Sequence, residues 1–157
     1  MNALILAAVL AAISVAAAAG AIRLALSRAQ DRLARRLMND AGNAFRLLTR
    51  AELCTEGKYR RLPGVLGLTE EALVFHGIFD EIEILPTARL QKIVTGTRLS
   101  NGRRLFRREV LRASRPAGPD LEWVLTRASA SAWRSHLGLW AVEQRRAEME
   151  VVSPGKK

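Results

Sequence analysis

Gly64-Val-Leu-Gly-Leu-Thr-Glu-Glu-Ala-Leu-Val-Phe-His76 decides how the soluble part of this 157-residue chain folds. Two short apolar, β-prone runs, residues 64–69 and 72–76, flank a Glu70-Glu71 turn, and neither is long enough for an ordinary helix. They read as neighbouring antiparallel strands. The same pattern continues outward. Glu81-Ile-Glu-Ile-Leu85 alternates as a half-buried strand does, with Glu81 and Glu83 expected on its solvated face, and Pro86 stops it. Residues 90–99 carry Ile93, Val94, Thr95 and Thr97. Asn101-Gly102 then accepts positive φ at both centres of a two-residue turn, a strong hairpin signal, and makes residues 104–112 the return strand. Residues 114–119 form a loop with two prolines and a glycine, and residues 121–126, with Trp123, are the last strand.

A helix closes the pattern. Ser129 or Ser131 is placed to cap it. Trp133, Leu137, Trp140, Ala141 and Gln144 share one face, which Leu139 and Val142 widen. The soluble part is therefore mainly β with a C-terminal α-helix: six or seven short antiparallel strands whose apolar face the helix covers.

Upstream the chemistry changes. Residues 3–22 are apolar except for Ser14 and Gly20, and twenty residues make about 30 Å of helix, enough to span the hydrocarbon core. A cleaved signal peptide is the rival, with 16–21 as its cleavage region, but no basic residue precedes the apolar run. The positive charges follow it: Arg23, Arg28, Arg32, Arg35 and Arg36. Under the positive-inside rule they put the downstream side in the cytoplasm of a bacterial-type inner membrane. Residues 23–50 read as a basic amphipathic helical linker, with Leu26, Leu33, Leu37, Phe45 and Leu48 near helical spacing and a break at 39–43. Its five arginines just past the span are candidates for contact with anionic lipid. The expected organisation is an anchor over 1–22, the linker over 23–50, a domain over 51–148 and a disordered tail over 149–157.

Net charge is +10 and the isoelectric point about 11.3, a balance that favours polyanionic partners. Cys54 is the single cysteine, so no internal disulfide is available, and it reads as a small buried hydrophobe. His76 and His136 have no companions at metal-ligand spacing, no phosphate-cradling glycine motif is present, and no nucleophile–base set stands out. The reading is a non-enzymatic chain with no metal and no cofactor. Its sharpest charged feature is the Asn101-Gly102 hairpin with Arg98, Arg103, Arg104, Arg107 and Arg108. Strict alternation over 104–112 puts arginines on both faces near the tip. Such a finger suits anionic lipid or an acidic partner.

The residues also support a resemblance. Residues 64–69 with 72–75 look like the "G-x-L-x-L-T … L-x-F" double strand of the pleckstrin-homology-like superfold. Ile84-Leu-Pro-Thr-Ala-Arg-Leu90 with Ile93 resembles its "I-P-x-x-x-I" step, and Trp133 with Leu137 resembles the face of its terminal helix. Over residues 52–146 the chain is similar to GRAM-like and bacterial PH-like domains. The resemblance implies a strongly bent seven-stranded sandwich or partial barrel and a binding module for phospholipid headgroups or protein segments. One departure is expected. The loop joining the first two strands, read as Thr69, Glu70 and Glu71, is acidic, so the basic headgroup ligands of eukaryotic PH domains are not carried over. The function expected is a membrane-anchored cytoplasmic adaptor engaging a protein partner of a membrane complex or anionic lipid headgroups. A tethered nucleic-acid-binding protein is the alternative. Tethering raises local concentration at the bilayer, which tilts the expectation toward a protein partner. No basic surface interleaved with aromatics is evident for nucleic acid.

Overall fold

The computed structural model describes residues 2–41, 44–54, 61–90, 92–116 and 118–137. Helix α1 (Asn2–Ala41) leads into strands β1 (Leu47–Cys54), β2 (Arg61–Leu68), β3 (Ala72–Gly77), β4 (Ile82–Pro86), β5 (Lys92–Gly96), β6 (Arg108–Ser114) and β7 (Leu121–Thr126). Residues 127–137 form a second helix, α2. At 40 residues α1 is about 60 Å long, and its N-terminal part is long and apolar enough to cross a membrane. Among the described residues nothing covers that apolar part.

The strands form one antiparallel sheet in the order β4-β3-β2-β1-β7-β6-β5. It consists of two meandering blades, β1–β4 and β5–β7. β1 pairs with β2 along its whole length but with β7 only through Glu52, Leu53 and Cys54. Away from that joint α2 closes the sheet. Its Ala130 and Trp133 enter one apolar core with Leu53, Leu66 and Phe75 of the first blade and Leu111, Trp123 and Leu125 of the second. The Trp133 indole donates to Thr49 Oγ1 at 2.8 Å, so the polar edge of the ring is satisfied inside the core. Gly64 is required where β2 crosses β3, because a Cβ there would collide with the His76 carbonyl and the Phe75 ring.

Four expectations need correction. Helix does not continue to Arg50: the break at 39–43 ends α1, and residues 47–50 open β1. Leu47, Thr49, Ala51 and Leu53 point to the core side with a period of two, while Leu48 packs with Phe45 over Gly67 on the opposite face. The segment between the first two strands is consequently 55–60, outside the described residues. The acidic Thr69–Glu71 step joins the second and third strands, so it bears on no first-loop headgroup site. β4 presents the opposite face to the one expected. Leu85 is in the core, and period-two alternation then turns Glu83 inward to accept from Arg115 Nη1 at 3.1 Å, leaving Ile82 and Ile84 each 60% exposed. Finally, α2 is capped by Thr126, whose Oγ1 accepts from the Ser129 backbone N–H at 3.2 Å, in place of Ser129 or Ser131. Trp140, Ala141, Gln144, Leu139 and Val142 lie outside the described residues, as does the proposed tail.

Candidate functional site

The C-terminal half of α1 lies against the outer face of the first blade. Gln30 is buried, and its Nε2 donates to the carbonyls of Ala51 at 3.0 Å and Gly64 at 2.8 Å, two residues paired across β1 and β2. Arg50 binds Ser27 Oγ and pairs with Asp31 at 3.5 Å. Leu26, Leu33 and Leu37 are half-buried along this seam, as their spacing foretold. Arg28, Arg32, Arg35 and Arg36 are exposed on the rest of the helix, where Arg36 pairs with Asp40 at 3.6 Å. These contacts fix direction. α1 descends from its apolar end, the chain reverses before Leu47, and β1 climbs back beside the helix.

The hairpin after β5 departs from the simple two-strand reading. Asn101-Gly102 lies in the turn but does not supply its two centres: Gly102 N donates to Leu99 O at 2.9 Å, which puts Ser100 and Asn101 at the centres, and of the expected pair Gly102 alone takes positive φ, 80°. The return strand, however, begins at Arg108, not Arg104. Lys92 pairs with Ser114 and Gly96 with Val110; continued, that register sets Arg98 opposite Arg108. Instead Arg98 bridges to Arg104, a slip of four residues. Arg107 takes up the slip with a left-handed backbone, φ 57°, which costs a non-glycine residue about 1 kcal/mol. The slip breaks the expected alternation. Leu99 and Leu105 fold back over the sheet and form a second small core with Cys54, Val110 and Val124. Glu122, 5% exposed, holds the tip there. Its carboxylate accepts from Ser100 N at 2.9 Å, Ser100 Oγ at 3.1 Å and Arg112 Nε at 2.7 Å.

Between α1 and this folded-back hairpin runs a groove of about 870 Å³. Arg23, Leu26, Ser27 and Gln30 line one wall, Arg103, Arg104, Phe106 and Arg108 the other, and Arg50, Glu52 and Arg61 the floor. Among the described residues, six arginines face one carboxylate. Glu52 pairs with Arg61 at 3.4 Å and with Arg108. Among the described residues, Arg23, Arg103 and Arg104 have no acidic partner. Of the expected hairpin arginines, the structure brings Arg103, Arg104 and Arg108 into the groove. Arg107 lies over the Phe106 ring at 5.4 Å, and Arg98 is not among the lining residues. Of the expected surface arginines on α1, only Arg23 lines it. Arg50, Arg61 and Glu52 were not singled out from the sequence. Arg50 and Glu52 sit alone among unlike neighbours, Arg61 follows Lys58 and Arg60, and only strand pairing brings the three together. An aromatic among the arginines was also missed: Phe106 is 85% exposed.

The remaining candidates are quieter. Burial pushes the Cys54 thiol up to about 11, with Arg61 acting weakly in the other direction. Burial lowers His76 below its ordinary value. Among the described residues no group of three His, Cys, Asp or Glu side chains could hold a metal ion.

No family model and no curated protein matches this chain. A solved structure does: the C-terminal domain of an unknown protein from Leishmania infantum, at 11% identity and a TM-score of 0.51, covering 68% of this chain and 94% of that one. The similarity is one of fold.

Proposed function

We propose that this chain is a single-pass bacterial inner-membrane protein whose PH-like domain, held on the cytoplasmic face, binds anionic phospholipid headgroups in the groove between α1 and the hairpin. The observation that carries this reading is the groove's position. Its α1 wall begins at Arg23, the first charge after the apolar run, and ends at Gln30, about 10 Å of helix rise further on. The upper part of the groove therefore lies at the depth of the headgroup layer beside a hydrocarbon core of about 30 Å. Arg23, Arg103 and Arg104, which have no acidic partner among the described residues, match a phosphodiester, which they can grip with paired N–H donors. A two-bladed antiparallel sheet closed by a C-terminal helix supports the PH-like reading. The unbroken run of α1 from the apolar stretch into the docked stretch supports an anchor over a cleaved leader.

The test is a titration of the full chain, in neutral detergent, with short-chain phosphatidylglycerol and phosphatidylcholine, followed by calorimetry. Saturable binding of the anionic lipid is expected, weakened about tenfold or more when Arg103 and Arg104 are both changed to serine, since each charge near lipid is worth about 1 kcal/mol. Equal binding of both lipids, or no loss in the double variant, refutes it and returns the groove to an acidic protein segment.

A further inference from the structure

Strand register gives every loop of the domain a height relative to the apolar segment. About 12 Å of helix separates Ile22 from Gln30. Gln30 is level with Ala51 and Gly64, and Gly64 is paired with Gly77 at the end of β3. β1 and β3 both climb toward the bilayer end. The β3–β4 turn at residues 78–81 therefore stands above Gln30, level with Glu52, through Ile78 N to Pro63 O at 3.0 Å and the pairing of Pro63 with Glu52. At about 3.3 Å per strand residue, the base of the turn lies about 9 Å below Ile22, just beneath a headgroup layer about 5–8 Å deep, within an aromatic side chain's reach of that layer. Its most exposed large apolar side chain is Phe79, 61% exposed, and Ile82 and Ile84 continue the apolar strip down the outer side of the edge strand.

We infer that the β3–β4 turn is a second membrane contact, in which Phe79 dips into the headgroup region of the same leaflet that the chain's own anchor enters. The inference rests on the proposed membrane-facing orientation, but not on the groove's preference for anionic lipid. The turn is built to hold the ring out. Gly77 N donates to Glu81 O at 2.6 Å, closing a tight loop, and Asp80 takes a left-handed backbone at φ 65° that aspartate tolerates better than most residues. A lone aromatic contributes through shallow burial, about 5–10 Å below the headgroup surface at most. Asp80, exposed beside it, sets the limit, because its charge stays in the hydrated layer. Phe106 is more exposed than Phe79 but lines the groove beside Leu105, which packs on Val110 and Val124 at the level of Glu52, so it does not mark the water side. Ala88 does: it is exposed in the turn after β4, level with Glu71 through Thr87 N to Glu71 O at 2.7 Å, at the opposite end of the domain.

The experiment labels single cysteines with an environment-sensitive fluorophore in the full chain, reconstituted in nanodiscs of pure phosphatidylcholine. Phe79→Cys is compared with Asp80→Cys and Ala88→Cys, with tryptophan emission as the check on folding. The native Cys54 thiol is buried and remains unlabelled. Expected is quenching of the label at 79 by lipids spin-labelled near the headgroup and shielding from aqueous iodide, with weaker effects at 80 and the reverse pattern at 88. Equal iodide access at 79 and 88 overturns the inference, as does lipid quenching at 88 to the same degree. Because the discs hold no anionic lipid, failure of the headgroup titration leaves this result standing. Failure of the chain to enter discs at all refutes the anchor itself.

Discussion

Glu122→Gln is the most telling single substitution, because it sets stability, charge and binding against one another. Glu122 is a buried carboxylate on β7 that joins three elements: Arg112 across the β6–β7 ladder at 2.6 Å, and Ser100 of the hairpin through both its amide and its hydroxyl. Breaking a fully buried ion pair from one side costs about 3–5 kcal/mol. Arg112 retains some solvent access, with 29% of its side chain exposed, so a value near 2 kcal/mol is more apt here, including the weakened bond to the Ser100 amide. Urea denaturation of the full chain in neutral detergent, read by tryptophan emission, gives the global loss. Hydrogen exchange at the Ser100 amide gives the local one and is expected to speed up more than exchange in the β1–β2 ladder. The substitution makes the chain more positive by one charge. Simple electrostatics then predicts tighter binding of anionic lipid, whereas a hairpin that Glu122 holds in place predicts weaker binding, since Arg103 and Arg104 lose their fixed position. A midpoint within about 0.5 kcal/mol of the parent, the usual scatter of surface changes, together with unchanged Ser100 exchange, refutes the reasoning.

Gln30→Ala is expected to cost about 2 kcal/mol, because two buried carbonyls lose a donor and α1 loses its polar peg to the sheet; accelerated exchange of the Ala29–Leu33 amides checks it. Glu52→Gln removes the one carboxylate among the groove's described residues and frees Arg61 and Arg108, so affinity for phosphatidylglycerol rises severalfold in the same calorimetric titration. Cys54 links stability to alkaline pH. Its folded thiol titrates at about 11 against an ordinary 9.0, so its contribution is complete below pH 9 and is lost as pH rises through about 11. The loss amounts to about 2–3 kcal/mol between those limits, measured as the difference in urea midpoint between the parent and Cys54→Ala.

What could be read from the sequence was what depends on near neighbours along the chain. β2, β3 and β7 were legible because each packs its apolar residues within one short run, and Asn101-Gly102 announced a turn, one residue out of place, because the positive φ of Gly102 is a local property. β1 was hidden by its surroundings. It follows a long helix rich in helix formers, and its inward residues Leu47, Thr49, Ala51 and Leu53 alternate with Leu48, Arg50 and Glu52, so no polar face stands out. Losing β1 had a further consequence: it renamed the first loop and made the acidic Thr69–Glu71 step appear to oppose headgroup binding. β4 misled for a different reason. Its alternation was seen, but the hydrophobic rule assigns Ile82 and Ile84 inward, and Leu85 alone, by entering the core, reverses the face. The groove lay beyond sequence reading altogether. Arg23, Arg61 and Arg103 come from a helix, a strand and a hairpin, and their convergence depends on Gln30 setting the helix against β1 and on the four-residue slip that folds the hairpin back. That slip also produces the strained Arg107 and the exposed Phe106, so one register change accounts for the second core, the groove wall and the exposed ring together. A hairpin built only as a solvated edge would have no reason to bury Leu99 and Leu105 and accept a left-handed arginine. The strain is offset by the burial of Leu99 and Leu105 and by the bonds of Ser100 to Glu122, and the fold so held sets Arg103 and Arg104 across from Arg23; it is this placement, more than the number of arginines, that makes the groove a candidate site.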